Sequence, residues 1–336
     1  MCNALLLRFS QTLGIRNNND VIVRWSNQSK PSLGGVSFYI VFLFSIFAYS
    51  VIFYNENLFH QKIYVGCFAA ASLAFLMGLA DDAYNTRPLL KLLAQITCGL
   101  TFVIADIRID LFHNYWPDAI ITVIWVITLM NSLNMLDNMD GITGTTVLFV
   151  LLSCLAAYFI CFPQVLSFWS LSMIALVGGL LGFLYFNVHP SKLFMGDAGS
   201  QFIGLIVAFY TIEFNWNLSA KYQVASWSGM ILALIALTPA AADTLTVVLN
   251  RLKKGKSPMV GGKDHTTHHL VYSGYSDKQV WFVFLVLGLI SFLSSIAIIY
   301  MIKSRNISII PVFIFFFVLV FFFLYRNTIR YPEPKK

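Results

Sequence analysis

Charge is what this chain has least of. Asp and Glu number 15 and Lys and Arg 22 among 336 residues, so charged side chains make up 11%. A soluble globular domain carries about 25%, which argues against a chain dissolved in water on its own. Cysteine is sparse as well. Cys2, Cys67, Cys98, Cys154 and Cys161 show neither metal-ligand spacing nor the pattern of a disulfide framework. They fall mostly inside apolar runs, where they read as small packing residues. There is no internal repeat and no low-complexity linker, and "MCNALLLRFSQTLGIRNNND" carries no signal-peptide cleavage pattern. A single domain over residues 1–336 is expected.

What abounds is apolar: 58% of residues are hydrophobic, with a mean hydropathy of +0.74. Ten runs could each cross a hydrocarbon layer of about 30 Å, which takes roughly 20 residues of helix. They lie near 33–54, 63–80, 89–105, 119–136, 142–162, 166–186, 200–218, 225–248, 280–302 and 307–325, the third and seventh being short or interrupted. The fold class predicted is all-α, a polytopic integral membrane protein of about ten transmembrane helices in a lipid bilayer. With ten spans, every Lys and Arg except Lys62, Arg108, Lys221, Lys303 and Arg305 falls on one side. That side is cytoplasmic by the positive-inside rule. The net charge of +7 mostly reflects this asymmetry and calls for no nucleic acid.

The few acids gather on the same side. On insertion scales an Asp at the centre of a membrane helix costs roughly 2.5–3.5 kcal/mol, so carboxylates at the ends of apolar runs demand a reason. "FLMGLA" runs directly into Asp81 and Asp82. "NSLNMLDNMDG" brings Asn131, Asn134, Asp137 and Asp140 to the end of the fourth run. "NVHPSKLFMGDAGS" brings Asn187, Lys192 and Asp197, and "RLKKGKSPMVGGKDHTTHHLV" brings Arg251, Lys253, Lys254, Lys256, His265, His268 and His269. Each piece alone has an ordinary explanation: a solvated helix end, a turn, a topology signal. Four loops (81–88, 137–141, 187–199 and 249–279) presenting carboxylates, bases and imidazoles to one face are harder to explain that way. If a helix reaches Asp137 and Asp140, the two share one face, at a C-terminus where the macrodipole disfavours anions. The glycines around Asp197 bare backbone N–H groups of a kind that suit phosphate.

Oxygen-only ligands suit a hard cation, most naturally Mg²⁺, which takes one or two carboxylates and completes its shell with substrate phosphates. Lys and His nearby offset phosphate charge, and phosphoryl transfer depends mainly on positioning and neutralisation. The absence of nearby Cys and the His spacing argue against zinc. The pattern suits a nucleotide-activated donor from the cytosol meeting a lipid phosphate from the membrane.

In order along nearly the whole chain, these segments resemble the polyprenyl-phosphate N-acetylhexosaminyl-1-phosphate transferases. "KPSLGG" is similar to the family's Pro-Ser/Thr-x-Gly-Gly segment and "GLADD" with "KLLAQ" to its Asp-Asp motif. "NSLNMLDNMDGITG" resembles Asn-x-x-Asn-x-x-Asp-Gly-x-Asp-Gly, and "FMGDAGSQFIG" resembles Phe-Met-Gly-Asp-x-Gly-Ser-x-x-x-Gly. "DTLTVVLNRLKKGKSPMVGGKDHTTHHLV" resembles the closing helix and histidine loop. The resemblance implies transfer of a sugar-1-phosphate, GlcNAc-1-phosphate by default, from a UDP-sugar to undecaprenyl phosphate with release of UMP. It implies Mg²⁺, with Mn²⁺ as a substitute, a site on the cytoplasmic face of the bacterial inner membrane, and it permits a homodimer. It assigns Asp197 to the metal and Asp81, Asp82, Asp137 and Asp140 to catalysis. Asn134, Asn187, Lys192, His265, His268 and His269 would bind substrate, which histidine is functional being left open.

Three departures stand out. Asn138 occupies a position where the family usually has Gly, a change rationalised by the tolerance of Asn for unusual backbone angles. Val271 stands where the branch using UDP-MurNAc-pentapeptide has Glu, which favours the branch that initiates O-antigen, teichoic acid or related surface glycans. The first helix of most relatives is largely missing. Asp243, the one acid well inside a predicted span, is either a buried packing residue or an acid of the substrate groove. A secondary transporter would carry its ionisable groups at the membrane midplane. A CDP-alcohol phosphatidyltransferase would continue Asp140-Gly141 differently, and a scaffold would leave the acids inert.

Overall fold

In a computed structural model the described residues are 3–7, 31–53, 58–163, 166–257 and 262–334. Cys2, Arg8, Arg16, Arg24, Lys30, Lys335, Lys336 and most of the stretch bearing on a shortened first helix lie outside them. No strand occurs among the described residues. After a helical turn at residues 3–7 come α1 (Gly34–Ile52), α2 (Lys62–Tyr84), α3 (Pro88–Ile104), α4 (Tyr115–Leu136), α5 (Ile142–Cys161) and α6 (Phe168–Asn187). Then follow α7 (Gly196–Thr211), α8 (Trp227–Ala236), α9 (Thr238–Lys253), α10 (Thr266–Tyr272), α11 (Asp277–Lys303) and α12 (Phe313–Arg330). The chain is a multi-pass membrane protein.

The ten apolar runs are helical where described, yet among the described residues only seven helices are long and apolar enough to span, or eight if α8 and α9 form one bent span. The shortfall has local causes. α3 is confined between Pro88 at its first turn and Asp106, whose positive φ of 63° ends it. α7 changes to π winding over Ile212–Trp216. The run 225–248, expected to be continuous, is broken by 84° between α8 and α9. Pro239 in the first turn of α9 cannot donate back into α8. The Thr238 hydroxyl instead bonds the Ile235 carbonyl at 2.9 Å.

α7 is the axis of the bundle. Every residue from Ala198 to Thr211 is buried, the mark of a helix enclosed on all sides, and α1, α2, α4 and α5 pack around it. Small residues permit the approach: a Cβ on Gly35 would come within 2.1 Å of the Gly199 nitrogen, and one on Gly78 within 2.3 Å of the Asp197 carbonyl oxygen. Such close backbone crossings are how membrane helices gain dispersion contacts without a hydrophobic drive. Outward-facing Phe44, Phe47, Phe315 and Phe322 are exposed, as lipid-facing side chains should be. The four described cysteines are buried and unbridged.

Candidate active site

The site forms where α2 and α4 end and α7 begins. α2 stops at Asn85, which takes the left-handed conformation open to Asn at a helix end, and Pro88 starts α3. This tight turn lets Thr86 donate to the Asp81 carboxylate through both its N–H and its hydroxyl, each at 2.8 Å. Lys91, one turn into α3, closes an ion pair with the same buried carboxylate.

Asp82 faces the other way and caps α7. Its two oxygens accept from the N–H groups of Asp197 at 3.0 Å and Ala198 at 2.9 Å, satisfying two orphan donors where negative charge is favoured. The glycines of "MGDAGS" therefore do not leave these amides open to phosphate, contrary to expectation, because Asp82 occupies them. Gly196 is obligatory here: its φ is +76°, and a Cβ would lie 2.9 Å from the Asp82 carboxylate. From α4, the Asn134 amide donates to Asp197 Oδ1 at 2.5 Å and to the Ser200 hydroxyl at 2.8 Å. The Asp81 and Asp197 carboxyl groups are within hydrogen-bonding reach of each other.

α4 ends at Leu136, so Asp137 is its C-cap and Asp140 lies in the following turn. They do not share a helical face, as the spacing had suggested. Asp137 sits among its fellow acids. Burial, then the charges of Asp197, Asp82 and Asp140, push its carboxyl up to about 7. Asp140 points instead into the 188–195 loop, accepting from Ser191 N–H at 3.0 Å and Ser191 Oγ at 2.7 Å, with His189 Nδ1 at 3.2 Å. Asn187 braces the same loop: its oxygen accepts from Gly141 N–H at 2.9 Å and its amide donates to the Leu193 carbonyl at 2.8 Å. Lys192 is exposed on that loop.

The histidines lie on or beside α10. Its Thr267 hydroxyl donates to Asn138 Oδ1 at 2.6 Å, while the Asn138 amide donates to the Met135 carbonyl at 2.9 Å. Asn138 is not among the residues with positive φ, so backbone tolerance does not explain its presence; its side chain does, by bridging the acid loop to the histidine helix. His265 is held by Asp243 and abuts His268 edge-on, ring centroids 5.6 Å apart. Burial, and then the neighbouring His265, push His268 down to about 3. His269 Nδ1 meets the Tyr331 carbonyl at 2.6 Å.

The sequence reading did not assign Lys91, Thr86, Ser191 or Ser200 to the site. It missed as well the amide network in which Gln95 bonds Asn131 and Gln201, one turn below Lys91. The "KLLAQ" spacing, which puts Lys91 and Gln95 on one face, was the available signal.

Fold and site together define an all-α membrane protein with a carboxylate-lined, hydrogen-bonded site at one end of its bundle. Residues 64–215 match the model of glycosyl transferase family 4, a stretch that encloses Asp81, Asp82, Asp137, Asp140 and Asp197. The chain is 28% identical over 300 residues to a probable undecaprenyl-phosphate N-acetylglucosaminyl 1-phosphate transferase of Bacillus subtilis (strain 168), covering 87% of this chain and 78% of that protein. It is 33% identical over 136 residues to the decaprenyl-phosphate N-acetylglucosaminephosphotransferase of Mycolicibacterium smegmatis, covering 39% of this chain and 32% of that protein. A phospho-N-acetylmuramoyl-pentapeptide-transferase of Carboxydothermus hydrogenoformans is 33% identical over 122 residues, 36% of this chain and 34% of that protein.

Proposed function

We propose that this chain transfers N-acetylhexosamine-1-phosphate, GlcNAc-1-phosphate foremost, from a UDP-sugar to undecaprenyl phosphate. The reaction would run at the cytoplasmic face of the bacterial inner membrane as the first membrane step of a surface glycan. The observation that carries the proposal is the convergence of Asp82 and Asn134, from two helices, on Asp197 at the start of a third. The long match to the Bacillus subtilis relative supports the donor and acceptor classes.

In the reaction an oxygen of the lipid phosphate attacks the β-phosphorus of the UDP-sugar. A new P–O bond forms, the bond to the bridging oxygen breaks, and UMP leaves. A phosphate monoester is largely dianionic at neutral pH, its second pKa being about 6, so the acceptor needs little help from a base. Asp81 accepts three bonds from Thr86 and Lys91, and Asp82 spends both oxygens on α7. Both therefore serve by orienting Lys91 and Asp197 rather than by removing a proton.

Mg²⁺ fits the donor set. The ligands are hard oxygens, and the pKa of Asp137, raised first by burial and then by neighbouring carboxylates, marks a crowding of acids that a cation would relieve. No three His, Cys, Asp or Glu side chains among the described residues make a complete metal cage. Mg²⁺ does not require one, since phosphates and water fill its shell. Asp197 and Asp137 would hold it, and Mn²⁺ would fit the same oxygens. Bound there, the cation supplies charge neutralisation for the diphosphate and the departing UMP.

The test is detergent-solubilised protein with Mg²⁺, undecaprenyl phosphate and a panel of UDP-sugars, reading UMP. Release with UDP-GlcNAc or another UDP-N-acetylhexosamine is expected, and none with UDP-MurNAc-pentapeptide, because Val271 replaces the Glu of that branch. Silence across the panel, or solute transport without UMP, would overturn the proposal.

A further inference from the structure

Asp243 has no part in the scheme above, yet it is fully buried on α9. A carboxylate in such a place is retained only if its partners repay its desolvation. Three do. Oδ1 accepts from Thr266 N–H at 2.8 Å and from Thr266 Oγ1 at 2.6 Å, and Oδ2 lies 3.0 Å from His265 Nδ1. Oδ1 alone suffices to cap α10; Oδ2 adds nothing to the cap and fixes the imidazole. A carboxylate only accepts, so the hydrogen lies on Nδ1 and Nε2 is left as the nitrogen with a free valence. That nitrogen accepts when the ring is neutral and donates when the ring carries both protons.

The residue before His265 is anchored from the same helix. Arg251 grips Asp264 with two parallel bonds, Nε to Oδ2 at 2.8 Å and Nη2 to Oδ1 at 2.7 Å. The residue two places after it, Thr267, is bonded to Asn138 beside the acids. His265 is thus fixed relative to α9 and to the 137–141 loop at once, and is itself nearly fully buried.

We propose that Asp243 is a positioning residue for the transfer, holding His265 by Nδ1 so that Nε2 is the nitrogen offered to the donor's phosphates. This rests on the transferase function proposed above. Asp243→Asn keeps an oxygen for Thr266 but sets an amide against Nδ1–H. It is expected to lower kcat by about 10- to 100-fold, the usual cost of disturbing an orienting partner. His265→Gln should cost a similar factor, and the double variant no more than either alone. Thr266→Val removes the capping hydroxyl while leaving the carboxylate–imidazole contact, and should retain most of the turnover. Equal losses in Thr266→Val and Asp243→Asn, or multiplying losses in the double variant, would reduce Asp243 to a helix cap and overturn the proposal.

Nitrogen-15 NMR of histidine-labelled protein reads the tautomer without turnover. His265 should carry its proton on Nδ1 in the wild type and lose that preference in Asp243→Asn. A wild-type ring protonated on Nε2 alone refutes the proposal. A correct tautomer in a protein that releases no UMP would instead count against the transferase reading.

Discussion

The carboxylate of Asp82 caps the helix that carries Asp197 in its first turn, although 115 residues separate the two in the chain. The same contact fixes the main chain under the Asp197 side chain, so a helix cap and the proposed catalytic constellation are built from one carboxylate. Asp81, its neighbour, faces the opposite way and secures Lys91.

Asp82→Ala should therefore fail on two counts. Loss of an N-cap costs about 1 kcal/mol, visible as a lowered thermal midpoint in detergent. UMP release should fall by at least about 100-fold, a loss of roughly 2.7 kcal/mol in transition-state stabilisation. Full activity with a lowered midpoint would make Asp82 a cap and nothing more.

Asn134→Leu removes the amide that holds Asp197 Oδ1 and Ser200 without adding charge. kcat should drop by about 10- to 100-fold, with a higher Mg²⁺ concentration needed for half-maximal rate. An unchanged Mg²⁺ titration would separate Asn134 from the carboxylate proposed to hold the metal. Asp197→Ala should abolish Mg²⁺-dependent UMP release.

His268 sets an acid limit on stability. Its folded pKa is depressed from 6.5 to about 3, so below 6.5 the unfolded chain takes up a proton that the folded one refuses. Its contribution to stability is complete above 6.5 and is lost progressively as pH falls from 6.5 toward 3. Thermal scans across that window should show a shallower fall for His268→Gln than for the wild type. Parallel curves would contradict the assignment.

Asn138 and Thr267 should behave as a pair. Asn138→Gly restores the residue usual in the family and breaks the 2.6 Å bond, at a cost of about 0.5–1.5 kcal/mol. Thr267→Val should cost a similar amount and the double variant little more. Additive losses in a double-mutant cycle would show that the two do not act together.

The helical runs were legible because membrane spans are written in composition, and the acids because carboxylates are conspicuous at the ends of such runs. The partnerships were not, since they join residues remote in the chain. Nothing local to "GLADD" announces that Asp82 will cap α7. Nothing local to "NMLDNMDG" announces that Asp140 will turn toward Ser191 while Asp137 turns toward the other acids. The break before Pro239 was signalled by the proline itself, but an apolar count cannot see a bend. Asn138 shows the limit most clearly, because its purpose is visible only once α10 is placed beside it.

The glycine contacts around α7 bear on how such an enzyme can diversify. With Gly35 and Gly78 pressed against its first turn, this helix has no freedom to rotate or slide, and any larger side chain there would force its neighbours apart. Changes that tune the choice of sugar are then easier to accommodate in the surrounding loops than in this central rod.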